Sequence, residues 1–163
     1  MKYTLLLWPH ANARYQSETR RLALCELDLM LRRVAPEAVA EIAKSHPDLK
    51  IVVCHLLAPT LADEAPFAEA LRALRLENVW FDISAVPWNV FPETYPYPTA
   101  NRYVAMARDT VGGKKLLWGS DLPSPLTRDS YTHLWDYLQA GGLFTQDELQ
   151  DIYYNNAFAA YPL

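Results

Sequence analysis

Lys50-Ile51-Val52-Val53-Cys54-His55 is a short, almost uninterrupted apolar run that ends in a histidine. Runs of this kind suit a β-strand covered by helices on both faces, the usual setting of a parallel sheet. The flanking residues agree with that reading. A helix is expected to begin near Pro36, a favoured first-turn residue, and to stop before His46-Pro47. Beyond the strand, Thr60 offers a helix cap with Asp63 three residues on, and the helical pattern continues to about Leu76.

The alternation then repeats. Asn78-Val79-Trp80-Phe81-Asp82-Ile83-Ser84 reads as a second strand, followed by a proline- and aromatic-rich loop from Ala85 to Pro98. Thr99 can cap the next helix, which should stop at Gly112-Gly113. Lys115-Leu116-Leu117-Trp118-Gly119-Ser120-Asp121 is the third strand. A loop with Pro123 and Pro125 leads from it to a helix from about Arg128 to Gln139, closed by Gly141-Gly142. Thr145 and Glu148 form a capping box for a last helix that ends in Asn155-Asn156 and an apolar tail. Before Pro36, Tyr3–Trp8 looks like a strand ended by Pro9. Ser17–Arg33 favours helix on propensity and length, while Leu22–Leu29 would also pass as a strand.

The expected class is therefore α/β, with parallel strands and flanking helices in a single domain over residues 1–163. Three strands and one ambiguous one, each followed by a helix, make about half of a (β/α)8 barrel of roughly 250 residues. An open half-barrel leaves an unpaired strand edge at each side.

Composition narrows the function. Apolar residues make up 51% and charged residues 21% of the 163, too apolar for disorder. The net charge of −4 comes from interleaved acids and bases, so neither nucleic acid nor a membrane surface is an expected partner. No apolar run approaches the roughly 20 residues that span a bilayer. Tyr3–Trp8, preceded only by Lys2, is too short for the core of a signal peptide. Cys25 and Cys54 sit in apolar runs and read as buried thiols rather than a disulfide. A cytoplasmic protein acting on a small molecule is the expectation.

Polar residues recur at the carboxyl ends of the three strands: His55, then Asp82 and Ser84, then Ser120 and Asp121. In parallel α/β folds those ends open onto one face, and that face carries the active site. A histidine can ligate zinc through a ring nitrogen, and an aspartate can ligate the metal or take a proton from its water. The structural alternatives are a core histidine bonded to backbone and an aspartate capping the Ser120-Asp121-Leu122-Pro123 turn.

The same residues carry a family resemblance. His46–Leu57 resembles the "PDLKIVxxHLG" block of amidohydrolase-related proteins, which include the aminocarboxymuconate-semialdehyde decarboxylase group. Asn78–Ser84 is similar to their "NVYxDxS" strand and Leu116–Pro123 to their "LLFGSDxP", while Ile152–Ala157 is similar to their "ixxxNA". These blocks run in the family's order over roughly residues 36 to 160. The resemblance implies the C-terminal half of a metal-dependent amidohydrolase barrel. His55 would end strand six, binding metal or touching substrate. Asp121 would end strand eight, touching metal and shuttling a proton. Asp82 and Ser84 would line the pocket after strand seven. A divalent cation is implied, zinc before manganese, for hydrolysis of a C–N or ester-like bond or for non-oxidative decarboxylation.

The chain also departs from the family. It has no His-x-His pair, and leucine and alanine follow His55 where relatives carry glycine. His10 is a candidate for the strand-five metal ligand, with Asp28 as the alternative. Trp88, in a loop with Phe91, Tyr95 and Tyr97, belongs either to a substrate lid or to a subunit contact, and Arg102 is a candidate for a substrate carboxylate. His46 is expected to be exposed and His133 to pack mid-helix. Two other readings stand beside the enzyme. One is a non-catalytic half-barrel that dimerises or pairs with a separate N-terminal half. The other is an unrelated α/β binding module, for which no GxGxxG or P-loop sequence speaks.

Overall fold

Four short strands pair in parallel in the order in which they occur along the chain: β1 (Arg21–Leu24), β2 (Lys50–Val53), β3 (Val79–Asp82) and β4 (Leu116–Leu117). The computed structural model describes residues 21–24 and 36–161. In register, Leu24 lies beside Val53, Val53 beside Phe81, and Phe81 beside Leu116. Between β1 and β2 lies α1 (Pro36–Ser45), and between β2 and β3 lies α2 (Glu64–Ala73). The β3–β4 crossover holds α3 (Val86–Asn89) and α4 (Pro98–Val111). After β4 come α5 (Tyr131–Gly141), α6 (Gln146–Gln150), a π turn at Asp151–Asn155 and α7 (Asn156–Ala160).

Side chains alternate across the sheet as its pleat requires. Ile51, Val53, Val79, Phe81 and Leu116 share one buried cluster with apolar positions of α1, α2, α4 and α5. Val52, Trp80 and Leu117 point the other way and are buried with Ala160 of α7. Both faces of the strands are therefore covered, which is why they read as continuous apolar runs rather than alternating ones. Two asparagines fasten helix ends to strands. Asn78 Nδ2 donates to the carbonyls of Ala43 (3.0 Å), His46 (3.1 Å) and Leu49 (2.8 Å), and Asn156 Nδ2 to those of Gly113 (2.9 Å) and Leu116 (2.8 Å). Among the described residues no helix is long and apolar enough to cross a membrane.

Several boundaries differ from the sequence reading. Of the two readings left open before Pro36, the strand holds for Arg21–Leu24: parallel pairing with Lys50–Val53 outweighs the helix propensity of the segment. Tyr3–Trp8, His10, Cys25 and Asp28 lie outside the described residues, while Cys54 is buried. Strand β2 stops at Val53 because His55, Leu56, Leu57 and Ala58 all take positive φ, from 49° to 64°. Each L-residue held there costs roughly 1–2 kcal/mol. Burial of Leu56 (0% exposed) and Ala58 (2%) holds the turn in place.

Thr60 does not cap α2. Its N–H and hydroxyl donate to Asp63 (2.9 and 2.5 Å), closing a turn ahead of the helix, which starts at Glu64 and ends at Ala73 rather than near Leu76. Helix α4 opens with Pro98 at its first position, and Thr99 donates its N–H (2.9 Å) and hydroxyl (2.5 Å) to Glu93 instead of capping. Helix α5 starts at Tyr131, where the Ser130 hydroxyl accepts from His133 N–H at 3.2 Å. The Thr145–Glu148 capping box and the glycine ends at Gly112 and Gly142 are as expected.

Candidate active site at the strand ends

His55, Ser84 and Asp121 come from the segments that follow β2, β3 and β4, and they meet; β4 stops at Leu117, short of the expected Asp121. The left-handed turn after β2 turns the imidazole towards β3, where Nδ1 lies 2.9 Å from Ser84 Oγ and 3.3 Å from the Ser84 carbonyl. A carbonyl only accepts, so Nδ1 carries the proton and donates to Ser84. Nε2 faces Asp121 Oδ1 at 3.9 Å. The His55 side chain is 12% exposed and that of Asp121 37%, so the pair sits where the buried sheet meets solvent. Asp121 itself has φ 54°, a conformation aspartate tolerates better than most residues.

Asp82, the last residue of β3, lies beneath this pair. Its Oδ1 accepts from Ser84 N–H at 2.6 Å. Burial raises its carboxyl pKa, against the lowering effect of the Ser84 hydroxyl and N–H bonds and of the His55 charge, while Asp121 pushes it further up. Asp82, Ser84, His55 and Asp121 thus form one connected polar line, with Ser84 serving both its neighbours. Gly119 makes room for it: a Cβ there would lie 3.1 Å from both Asp82 Oδ1 and Ser84 Cβ.

The donor set can be tested against a divalent cation. Zinc binds nitrogen and carboxylate ligands at about 2.0–2.2 Å. Two such bonds reach across at most about 4.2 Å, so His55 Nε2 and Asp121 Oδ1 at 3.9 Å can share one cation. Ser84 would orient the histidine from behind, as metal-bound histidines require. Among the described residues no third His, Cys, Asp or Glu joins them in a cluster. With bonds of about 2.1 Å, a tetrahedral angle sets two ligand atoms about 3.4 Å apart, so the pair at 3.9 Å would have to close by about 0.5 Å to take two positions of such a site.

The other sequence candidates lie elsewhere. Trp88, on α3, lies under the Arg128 guanidinium, which is 3.6 Å from the indole centroid. Arg102, on α4, pairs with Glu64 of α2 at 3.6 Å; both side chains are about 60% exposed, and it is not brought to the His55 cluster. His46 is exposed. His133 lies in the first turn of α5, where its Nδ1 is 2.5 Å from Asp129 Oδ1 and its ring stacks on Tyr95 at 4.2 Å. The sequence reading missed Gly119 and Arg128. Gly119 was legible only as part of the strand. Arg128 reads in the sequence as a helix start, and no local pattern links it to the aromatic loop that ends at Pro98.

The family model for amidohydrolase matches residues 24–163. An amidohydrolase from Burkholderia multivorans, solved with bound HEPES, superimposes with a TM-score of 0.71 at 21% identity, over 88% of this chain and 53% of that one. The form of it with bound zinc gives 0.70 at 21% identity over 88% and 52%. Amidohydrolase 2 from Bifidobacterium longum subsp. infantis gives 0.58 at 26% identity, over 80% of this chain and 47% of that one. No curated protein matches significantly. The chain spans about half the length of these solved structures, and over that half it has their fold.

Proposed function

The chain belongs to the amidohydrolase family, and from that premise we propose that its strand ends carry part of a metal-dependent centre for hydrolysis of a C–N or ester-like bond, or for non-oxidative decarboxylation, in a small molecule. The observation that supports it is the facing of His55 Nε2 and Asp121 Oδ1 at 3.9 Å, with Nδ1 tied back to Ser84. The four parallel strands would be an arc of a (β/α)8 barrel, and the face holding this pair would be its catalytic end.

In this reading His55 and Asp121 would hold the cation, zinc or else manganese, with His10 or Asp28 as the source of a further ligand. Such an ion supplies Lewis-acid polarisation of the scissile group and a lowered pKa for water at the site. The chain's own residues do the rest. Ser84 fixes the imidazole plane and tautomer. Asp121 takes a proton from the attacking water as the new C–O bond forms, and returns it to the leaving nitrogen or oxygen as the old bond breaks. Asp82, below Ser84, holds the Ser84 hydroxyl in the orientation His55 needs. In a decarboxylation the same aspartate would deliver its proton to the carbon that loses carbon dioxide.

The test is zinc titration of the purified full chain beside its His55→Ala and Asp121→Ala variants, read by elemental analysis after dialysis. About one equivalent is expected in the parent, and loss of it in each variant. An unmetallated parent would sink the assignment.

A second reading has its own support. Only two ligands meet among the described residues, and the chain spans about half the length of its solved relatives. The site would then be completed across an interface, by a second copy or by a separate segment carrying the remaining strands. Zinc binding that rises with protein concentration, together with a larger species in light scattering, would favour it.

A further inference from the structure

Two lysines converge on one tryptophan at the amino-terminal end of the sheet, the end opposite the His55–Asp121 pair. Lys50 opens β2, Lys115 directly precedes β4, and Trp80 lies in β3, the strand between those two. Phe81 pairs with Leu116, which sets Trp80 beside Lys115 on the face that Trp80 shares with Val52 and Leu117. Lys115 Nζ is 4.0 Å from the Trp80 ring centroid and Lys50 Nζ is 5.4 Å from it. Both lysines are half-buried.

The two charges are poorly compensated. Lys50 donates to the Ala159 carbonyl of α7 and Lys115 to the Glu77 carbonyl, both at 2.5 Å. An ammonium group carries three N–H donors, so each lysine has more to give. Among the described residues no carboxylate lies within ion-pair distance of either one. The chain has 19 acidic residues against 15 lysines and arginines, so a shortage of anions is not the reason. Burial lowers the Lys115 pKa; the Glu77 charge opposes that and the Lys50 charge adds to it. Trp80 is 7% exposed, and its Nε1 is buried with no hydrogen-bond partner among the described residues. A buried N–H of this kind calls for an acceptor.

Simpler roles account for part of this arrangement only. A lysine near the carboxyl end of a helix is favoured, which covers Lys50 at α7 but not Lys115, whose acceptor precedes β3. An aromatic face attracts each ammonium group separately, without offsetting the repulsion between the two.

We propose that Lys50, Lys115 and Trp80 form a binding site for a doubly charged tetrahedral oxyanion, inorganic phosphate or sulfate. Such an ion cancels both charges, accepts from both ammonium groups and offers the indole N–H its acceptor. Lysine suits a tetrahedral ion because it acts as a point charge without the planar fork of arginine. Bound there, the ion ties the starts of β2, β3 and β4 to α7 and so stabilises the folded chain. The site is separate from the metal centre and does not depend on the hydrolase reading.

NMR of the indole N–H signals of the full chain tests the proposal, with the Trp80 signal assigned from Trp80→Phe. Sodium sulfate and phosphate are titrated against sodium chloride at constant ionic strength, with a chelator present so that no metal contributes. The Trp80 signal is expected to move saturably with sulfate and phosphate and not with chloride. Lys115→Met and Lys50→Met, which keep an apolar stem at the ring, should each weaken binding roughly tenfold or more. Asp121→Ala should bind as the parent does. No saturable movement in the parent would overturn the proposal, whether or not the variants fold. So would unchanged affinity in a folded Lys115→Met, or loss of binding in Asp121→Ala, which would place the anion at the other end of the sheet.

Discussion

Ser84 does more than its size suggests, because two neighbours depend on one small side chain. Its hydroxyl receives the His55 Nδ1 proton, and its N–H and hydroxyl serve the Asp82 carboxylate. Removing that hydroxyl leaves the imidazole the longer bond to the Ser84 carbonyl (3.3 Å) and a looser hold, yet takes away little buried volume. In Ser84→Ala, zinc affinity should therefore fall by about 10–100-fold, the usual effect of losing a partner that orients a ligand. Thermal unfolding should move little. Unchanged zinc affinity in a titration would mean that Ser84 does not orient His55. The sequence placed Ser84 and Asp82 at a strand end, but the period-2 alternation of a strand says only which face a side chain is on. That Ser84 reaches across to a histidine 29 positions earlier required the register of β2 against β3. Asp121 is similar: its place after the third apolar run was legible, although the strand there stops at Leu117, and the left-handed turn that brings His55 Nε2 to face it was not.

At the scale of elements, two adjacent glycines end α5 for different reasons. Gly142 has φ 66° and open space where a Cβ would be, so only backbone conformation demands glycine there. Gly141 has an ordinary φ, but a Cβ on it would collide with the amide of Asn101 on α4. That amide donates to the carbonyls of Pro96 at 2.6 Å and Tyr137 at 3.1 Å, joining α4 to α5. Gly142→Ala should cost about 1 kcal/mol and Gly142→Asn less, since asparagine accepts the left-handed region. Gly141→Ala should cost roughly 3 kcal/mol or more, combining overpacking with broken buried hydrogen bonds. Chemical denaturation of the three variants orders them, and equal losses at the two glycines would refute the distinction. Glycine pairs, proline starts and the Thr145–Glu148 box were readable because they act within a few residues of themselves. Strand β1 was legible only as the alternative to a helix: Arg21–Leu24 sits in a segment of good helix formers, and pairing with β2 decides for strand.

For the whole molecule, the core is organised by Phe81, fully buried in β3 between Val53 and Leu116 and in one cluster with the outer helices. Phe81→Ala should destabilise by about 3–5 kcal/mol. Phe91→Ala, on a loop and 61% exposed, should cost under about 1 kcal/mol. Comparable melting shifts for the two would contradict the assignment of the helix-side cluster as the stabilising core. The sheet has a second consequence for function. Its parallel order puts every strand's carboxyl end at one edge, so residues far apart in sequence converge there without any local signal linking them.

What the sequence determined by itself was local or periodic: apolar runs for buried strands, caps and glycines for helix ends, and polar residues at the strand ends that match an amidohydrolase pattern. These follow from forces acting over a few residues, so they survive without knowledge of the fold. The tertiary structure decided which polar residues meet. It set His55 against Asp121 and Ser84, placed Arg102 with Glu64 on the outer helices, and stacked Arg128 on Trp88 and Phe91. Contacts of that kind depend on strand register and on left-handed turns. Both are fixed by the packing of the whole sheet against its helices, which no single stretch of the chain contains.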